Sequence, residues 1–185
     1  SSQIGCKMGC TFCATGTMGE IGHLSAGEIC EQLWHANRYK KVRNVVFMGM
    51  GEPLNNYRAV RAAVGAMTDV QRFKLAPSCV TVSTVGVIPR ILDLARDMPK
   101  VNLALSLHAP TQALRKRFVP SSSGAPLGKL MAAIDAYMAA TGRKVLVEYC
   151  LLAGENDTPQ CAAQLAELLR DRDVTLNLIP YNPTY

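Results

Sequence analysis

Cys6, Cys10 and Cys13 stand in a C-x-x-x-C-x-x-C spacing near the start of the chain. Thiols this close can share one metal centre, yet three is one short of the four protein ligands that close a structural zinc site. Such a trio suits a centre that keeps one coordination position open for chemistry. Zinc would need a further ligand, and neither His23 nor Cys30 completes a familiar zinc spacing with the trio. Thiolates also hold iron–sulfur clusters, and a cluster held by three leaves one iron able to bind something else. The spacing favours the cluster over zinc and leaves both readings open.

Further polar groups recur downstream in Gly49-Met50-Gly51-Glu52-Pro53, Ser83-Thr84-Val85-Gly86, Ser106-Leu107-His108-Ala109-Pro110 and Pro180-Tyr181-Asn182-Pro183. Gly49 and Gly51 permit close backbone approach. Glu52 offers a carboxylate to an ammonium group, while Ser83, Ser106 and Asn182 offer hydroxyls and an amide to a ribose or a carboxylate. Apolar surface near Phe12 or Ile179 would take an adenine. An amino acid at one end and a nucleoside at the other describes S-adenosylmethionine. Each residue also has a plainer reading. Gly51 suits a turn, Ser83 and Ser106 could cap the next helix, His108 could bond a loop, and Asn182 could shape a turn. Glu148, among apolar neighbours, calls for structural pairing. His23 and His35 read as surface residues.

The elements that must position these groups alternate. Apolar β-rich runs at 44–50, 79–84, 101–107, 144–152 and 174–179 interleave with helical patterns at 25–41, 57–70, 89–98, 111–118, 127–141 and 159–172. Ser25 with Glu28 predicts a capping box, Thr158-Pro159 a capped start, and Gly142 a helix stop. The strands are nearly continuous apolar runs, as in a parallel sheet covered on both faces. Their repeat of roughly 30 residues is that of a βαβ unit. All four polar segments follow strands, where parallel α/β folds bind ligands. The cysteine loop precedes the first helix and belongs at the same face.

The 185 residues predict one domain, 1–185, with 49% hydrophobic and 18% charged residues and no disordered stretch. Its apolar runs are too short to span a membrane. The net charge of +6 weakly favours a polyanion partner, with Arg38-Lys40-Lys41-Arg43 and Arg115-Lys116-Arg117 as candidate phosphate contacts. Seven cysteines without a secretory signal read as reduced thiols, and Cys30, Cys79, Cys150 and Cys161 as packing residues. The start at Ser1 and the end at Tyr185 read as those of an excerpt.

The segment Ser2 to Cys13 resembles the cluster loop of the radical S-adenosylmethionine superfamily. SSQIGC, MGMGEP, VSTVG, LSLHAP and NLIPYNP, in this order along the whole chain, resemble the adenine-C2 RNA methyltransferases of the RlmN/Cfr type. That resemblance implies an α/β fold, a partial (β/α)6 TIM-like barrel truncated at both ends, with a [4Fe-4S] cluster on Cys6, Cys10 and Cys13. It implies S-adenosyl-L-methionine bound by Gly51, Glu52, Ser83, Ser106, Leu107, His108 and Asn182. It further implies methylation at C2 of an adenine in 23S-type rRNA and in some members tRNA, an electron donor such as flavodoxin or ferredoxin, and a cytoplasmic or, in a eukaryote, organellar location. The family's methyl-carrying and resolving cysteines match no position here, so no catalytic cysteine is expected within this chain. Two other readings stay open: a different radical enzyme on the same core, and a non-catalytic zinc or RNA-binding module.

Overall fold

The computed structural model describes residues 1–183. The chain opens with an antiparallel hairpin, β1 (Gln3–Cys6) and β2 (Gly19–His23), whose connection carries Cys10 and Cys13. Periodicity does not announce this hairpin. Its register shifts between Ile4 and Gly5, so the alternation that marks a strand is broken. Gly5 has φ +74, and a Cβ there would lie 1.8 Å from the Gly19 carbonyl oxygen.

Five strands then alternate with helices: α1 (Ala26–Tyr39), β3 (Val45–Phe47), α2 (Tyr57–Thr68), β4 (Val80–Thr84), α3 (Ile88–Asp97) and β5 (Asn102–Ser106). There follow α4 (Gln112–Phe118), α5 (Leu127–Thr141), β6 (Val145–Leu151), α6 (Pro159–Leu169) and β7 (Val174–Pro180). Every predicted strand and helix is present, shortened at most ends by one to three residues. The expected end signals operate. Ser25 accepts from the Glu28 N–H while Glu28 accepts from the Ser25 N–H, the capping box that starts α1. Thr158 accepts from the Cys161 N–H and Pro159 opens α6. Gly142 closes α5 at φ +65 and donates to the Met138 carbonyl.

The five strands form one parallel sheet in the order β3-β4-β5-β6-β7. An order without reversal, with right-handed crossovers, winds the helices onto one side and curves the sheet into a barrel arc. Leu103, Leu105 and Leu107 are fully buried in the main core with Val80, Val82, Val145 and Val147. Each such side chain contributes about 2 kcal/mol of burial. Tyr137 on α5 reaches across to donate to the Val101 carbonyl at 2.6 Å.

One expectation fails at the edge. β7 is not covered on both faces: Leu176 and Leu178 are 40% and 53% exposed. Its apolar run matches that of the inner strands, but no element among the described residues lies beyond it. No helix among the described residues is long and apolar enough to cross a membrane.

Candidate active site

The strand ends and the cysteine loop meet around one cavity of about 300 Å³. Cys6, Cys10, Cys13, Gly51, Glu52, Ser83, Ser106, His108 and Asn182 all line it. Phe12 and Ile179, the expected adenine neighbours, are in the wall as well. Leu107 is the exception: its side chain turns into the main core, while its N–H donates to the Glu148 carbonyl. That inversion is what strand alternation requires of the residue between Ser106 and His108.

The loop is held to the barrel by a short backbone tie. The Thr11 N–H donates to the Phe118 carbonyl of α4 at 2.9 Å, while within the loop the Cys13 N–H donates to the Cys10 carbonyl at 3.2 Å. Met8 and Cys10 pack with Ala109, Phe118 and Val119 in a small second core, separate from the main one. Gly9 turns the loop at φ +70, and a Cβ at Gly16 would lie 2.4 Å from the Cys10 carbonyl oxygen. Among the described residues no three Cys, His, Asp or Glu side chains converge on a single ion.

Charge around the thiols is unbalanced. Burial, then the neighbouring Cys13 and Cys6, push the Cys10 thiol up to about 12, against a smaller opposite pull from Arg115. Cys6 is raised chiefly by burial. Three cysteine sulfurs lining one cavity are the donor set of an iron–sulfur centre, whose cationic iron core supplies the positive charge that the buried thiols lack. Such a centre deprotonates its ligands outright.

Glu52 is deeply buried, and burial pushes its carboxyl up to about 7. The N–H groups of Val85 at 2.8 Å and Leu54 at 2.9 Å donate to its two oxygens, and its own N–H donates to Gln3 Oε1 at 2.7 Å. Each carboxylate oxygen retains lone-pair capacity for a cation in the cavity. Gly51 makes this joint possible: at φ +99, a Cβ would lie 2.6 Å from the Gln3 Cβ. Ser83 and Ser106, on neighbouring strands, place their hydroxyls 3.3 Å apart.

His108 is buried and takes φ +58, an uncommon conformation for a side-chain-bearing residue. Its Nδ1 accepts from the Cys150 N–H at 3.0 Å, so the ring's remaining N–H lies on Nε2. Burial, reinforced by the Arg115 charge, lowers it to about 3, and it is neutral near pH 7. The Phe12 ring meets it edge-on at 4.5 Å.

Two residues depart from expectation. Arg115, grouped with Lys116 and Arg117 as a phosphate contact, is fully buried and cannot reach an external polyanion. Helical geometry explains the split, since successive residues point about 100° apart. Glu148 has its expected structural partner, accepting from Asn177 Nδ2 at 2.8 Å, but it also lines the cavity. Asn177 escaped notice, although it pairs in register with Glu148 on the adjacent strand. Two polar residues in aligned, otherwise apolar runs were the available signal.

Comparison with known proteins agrees with this geometry. The profile of the Radical SAM superfamily matches residues 1–169. The dual-specificity RNA methyltransferase RlmN 1 of Myxococcus xanthus is 45% identical over 100% of this chain and 53% of its own length. The crystal structure of a radical SAM methyltransferase from Sphaerobacter thermophilus superposes with a TM-score of 0.94 at 43% identity, over 98% of this chain and 55% of that one. SuiB of Streptococcus suis, solved bound to S-adenosylmethionine, shares the fold at a TM-score of 0.72 and 14% identity, over 98% of this chain and 40% of that one. The chain thus spans about half the length of the curated relatives it matches. The superfamily profile takes in the cysteine loop and every residue of the cavity wall except Ile179, Pro180, Tyr181 and Asn182, and the chain belongs to the radical SAM superfamily.

Proposed function

We propose that residues 1–185 are the cofactor-binding core of an RNA adenine-C2 methyltransferase acting on large-subunit rRNA and on tRNA. The observation that carries this is the meeting of three cysteines and four polar strand ends around one cavity. The dual-specificity RNA methyltransferases among its relatives support the substrate class. Cys6, Cys10 and Cys13 would hold a [4Fe-4S] cluster. When bound, that cluster supplies the electron that splits S-adenosylmethionine reductively into methionine and a 5'-deoxyadenosyl radical.

The chain's own residues bind and orient. Glu52, fixed by two backbone N–H groups, accepts the methionine ammonium, and Gly51 admits it without a side chain in the way. Ser83, Ser106 and Asn182 take the ribose hydroxyls and the remaining polar edge, with Phe12 and Ile179 against the adenine. Neutral His108 presents Nε2–H as a donor without adding a charge to a cationic ligand. Leu107 contributes only the turn that sets Ser106 and His108 in place. In this reading the methyl-carrying and resolving cysteines of the family match no position in residues 1–185, so these residues supply the cofactor site and not the methyl-transferring thiols. An electron donor of the flavodoxin or ferredoxin class serves the cluster.

Anaerobic reconstitution with iron and sulfide, followed by metal and sulfide analysis and assay of 5'-deoxyadenosine, tests this reading. Retention of about four irons and four sulfides per chain is expected. Zinc without sulfide would overturn it. RNA methylation by the isolated residues 1–185 would overturn it too, by showing a methyl-transferring thiol among them.

A further inference from the structure

Arg115 has no exposed surface. A guanidinium carries five N–H donors and cannot shed its charge at ordinary pH. Nε donates to the Leu107 carbonyl at 3.1 Å, and Nη2 to the carbonyls of Ser106 at 3.2 Å and Val85. Those three acceptors lie at the adjoining ends of β4 and β5, under the cavity floor. Nη1 has no partner among the described residues. The ion pairs of the other arginines all go to surface carboxylates, and none includes Arg115.

A permanent cation buried without an anion is costly, and clamping three carbonyls would not require one. A neutral donor such as Gln offers N–H groups without the desolvation of a full charge. The clamp lies against the cysteine loop: Val85, whose carbonyl Arg115 holds, packs with Leu114 and Phe118 of α4 around Cys10 in the small second core, and the Thr11 N–H of the loop donates to the Phe118 carbonyl. Three thiolates on a cubane leave it with net negative charge, and one added electron deepens that charge.

We propose that Arg115 is the counter-charge and positioning residue of the cysteine loop, its Nη1 donating to the Cys10 sulfur once that sulfur is a cluster thiolate and its fixed cation easing one-electron reduction. The electron comes from an external one-electron donor, and no protein bond is made or broken. The assignment rests on the cluster reading above.

Arg115→Gln and Arg115→Lys in the full chain, reconstituted anaerobically, are to be compared by redox titration monitored by electron paramagnetic resonance. Arg115→Gln is expected to hold the parent's iron and sulfide but to be reduced about tenfold less readily, a midpoint lower by about 59 mV. Arg115→Lys keeps the charge and is expected closer to the parent. An unchanged midpoint in a fully loaded Arg115→Gln protein overturns the proposal and leaves Arg115 a strut. A second measurement needs no variant. Parent protein labelled with 15N-arginine and reduced is expected to show a weak 15N hyperfine coupling to the cluster, and its absence overturns the proposal. A parent that retains iron without sulfide instead overturns the cluster reading, and this assignment with it.

Discussion

At the scale of single residues, the site is built by burying polar groups in sheltered but incomplete hydrogen-bonding positions. Glu52 carries the clearest consequence. Its folded pKa of about 7 lies above the ordinary 4.5, so the ligand-free fold prefers the protonated acid. The stability this represents is fully present below about pH 4.5 and is lost as pH rises through about 7, a few kcal/mol at most. The melting temperature of the ligand-free protein minus that of Glu52→Gln should therefore fall across that window and level above it. A flat difference would place the carboxyl in a wetter setting. His108 behaves oppositely. Its folded pKa of about 3 lies below the ordinary 6.5, so its contribution is present above pH 6.5 and is lost as pH falls toward 3. His108→Ala leaves the buried Cys150 N–H without its acceptor and should cost roughly 1–3 kcal/mol in urea titration. His108→Asn, better tolerated at positive φ, should cost less.

Among the elements, glycines set the fit between the hairpin and the barrel arc. Gly16 has no room for a methyl against the Cys10 backbone, and that backbone cannot yield as a side-chain tip could. Gly16→Ala should lower iron and sulfide retention severalfold while far-ultraviolet circular dichroism stays that of the parent. Loss of the sheet signal would show that loop and arc fold as one. The same contrast marks what the sequence made legible. Strands, helices and caps follow from periodicity and local end signals, which act within a few residues. The cavity's polar groups were legible because each directly follows a strand, where a parallel sheet gathers its ligand contacts. The β1–β2 hairpin and the burial of Arg115 were not. Each depends on contacts that periodicity does not show: Gly5 against Gly19 across the hairpin, and α4 carbonyl-clamped beneath two strand ends. A run of Arg-Lys-Arg reads as a surface patch until the helix phase is known.

Over the whole molecule, an unreversed sheet leaves two unlike borders. β7 shows Leu176 and Leu178 half-exposed. Leu178→Lys, at a side chain already in contact with water, should change stability in urea titration by no more than about 0.5 kcal/mol. On the other side, Arg38, Lys40, Lys41 and Arg43 are exposed together at the end of α1. If they meet RNA phosphates, replacing Lys40, Lys41 and Arg43 by Ala should weaken RNA binding across sequences and flatten its salt dependence by a log–log slope of about 2. The division of the interior into a large core and the small one around Met8, Cys10 and Phe118 has its own outcome. Two cores joined by few backbone ties can open at different free energies. Amides of the cysteine loop should then exchange with deuterium long before those of β5 and β6. Loss of any group held by the loop would then be a local event, with the arc serving as a template on which the same loop can reseat.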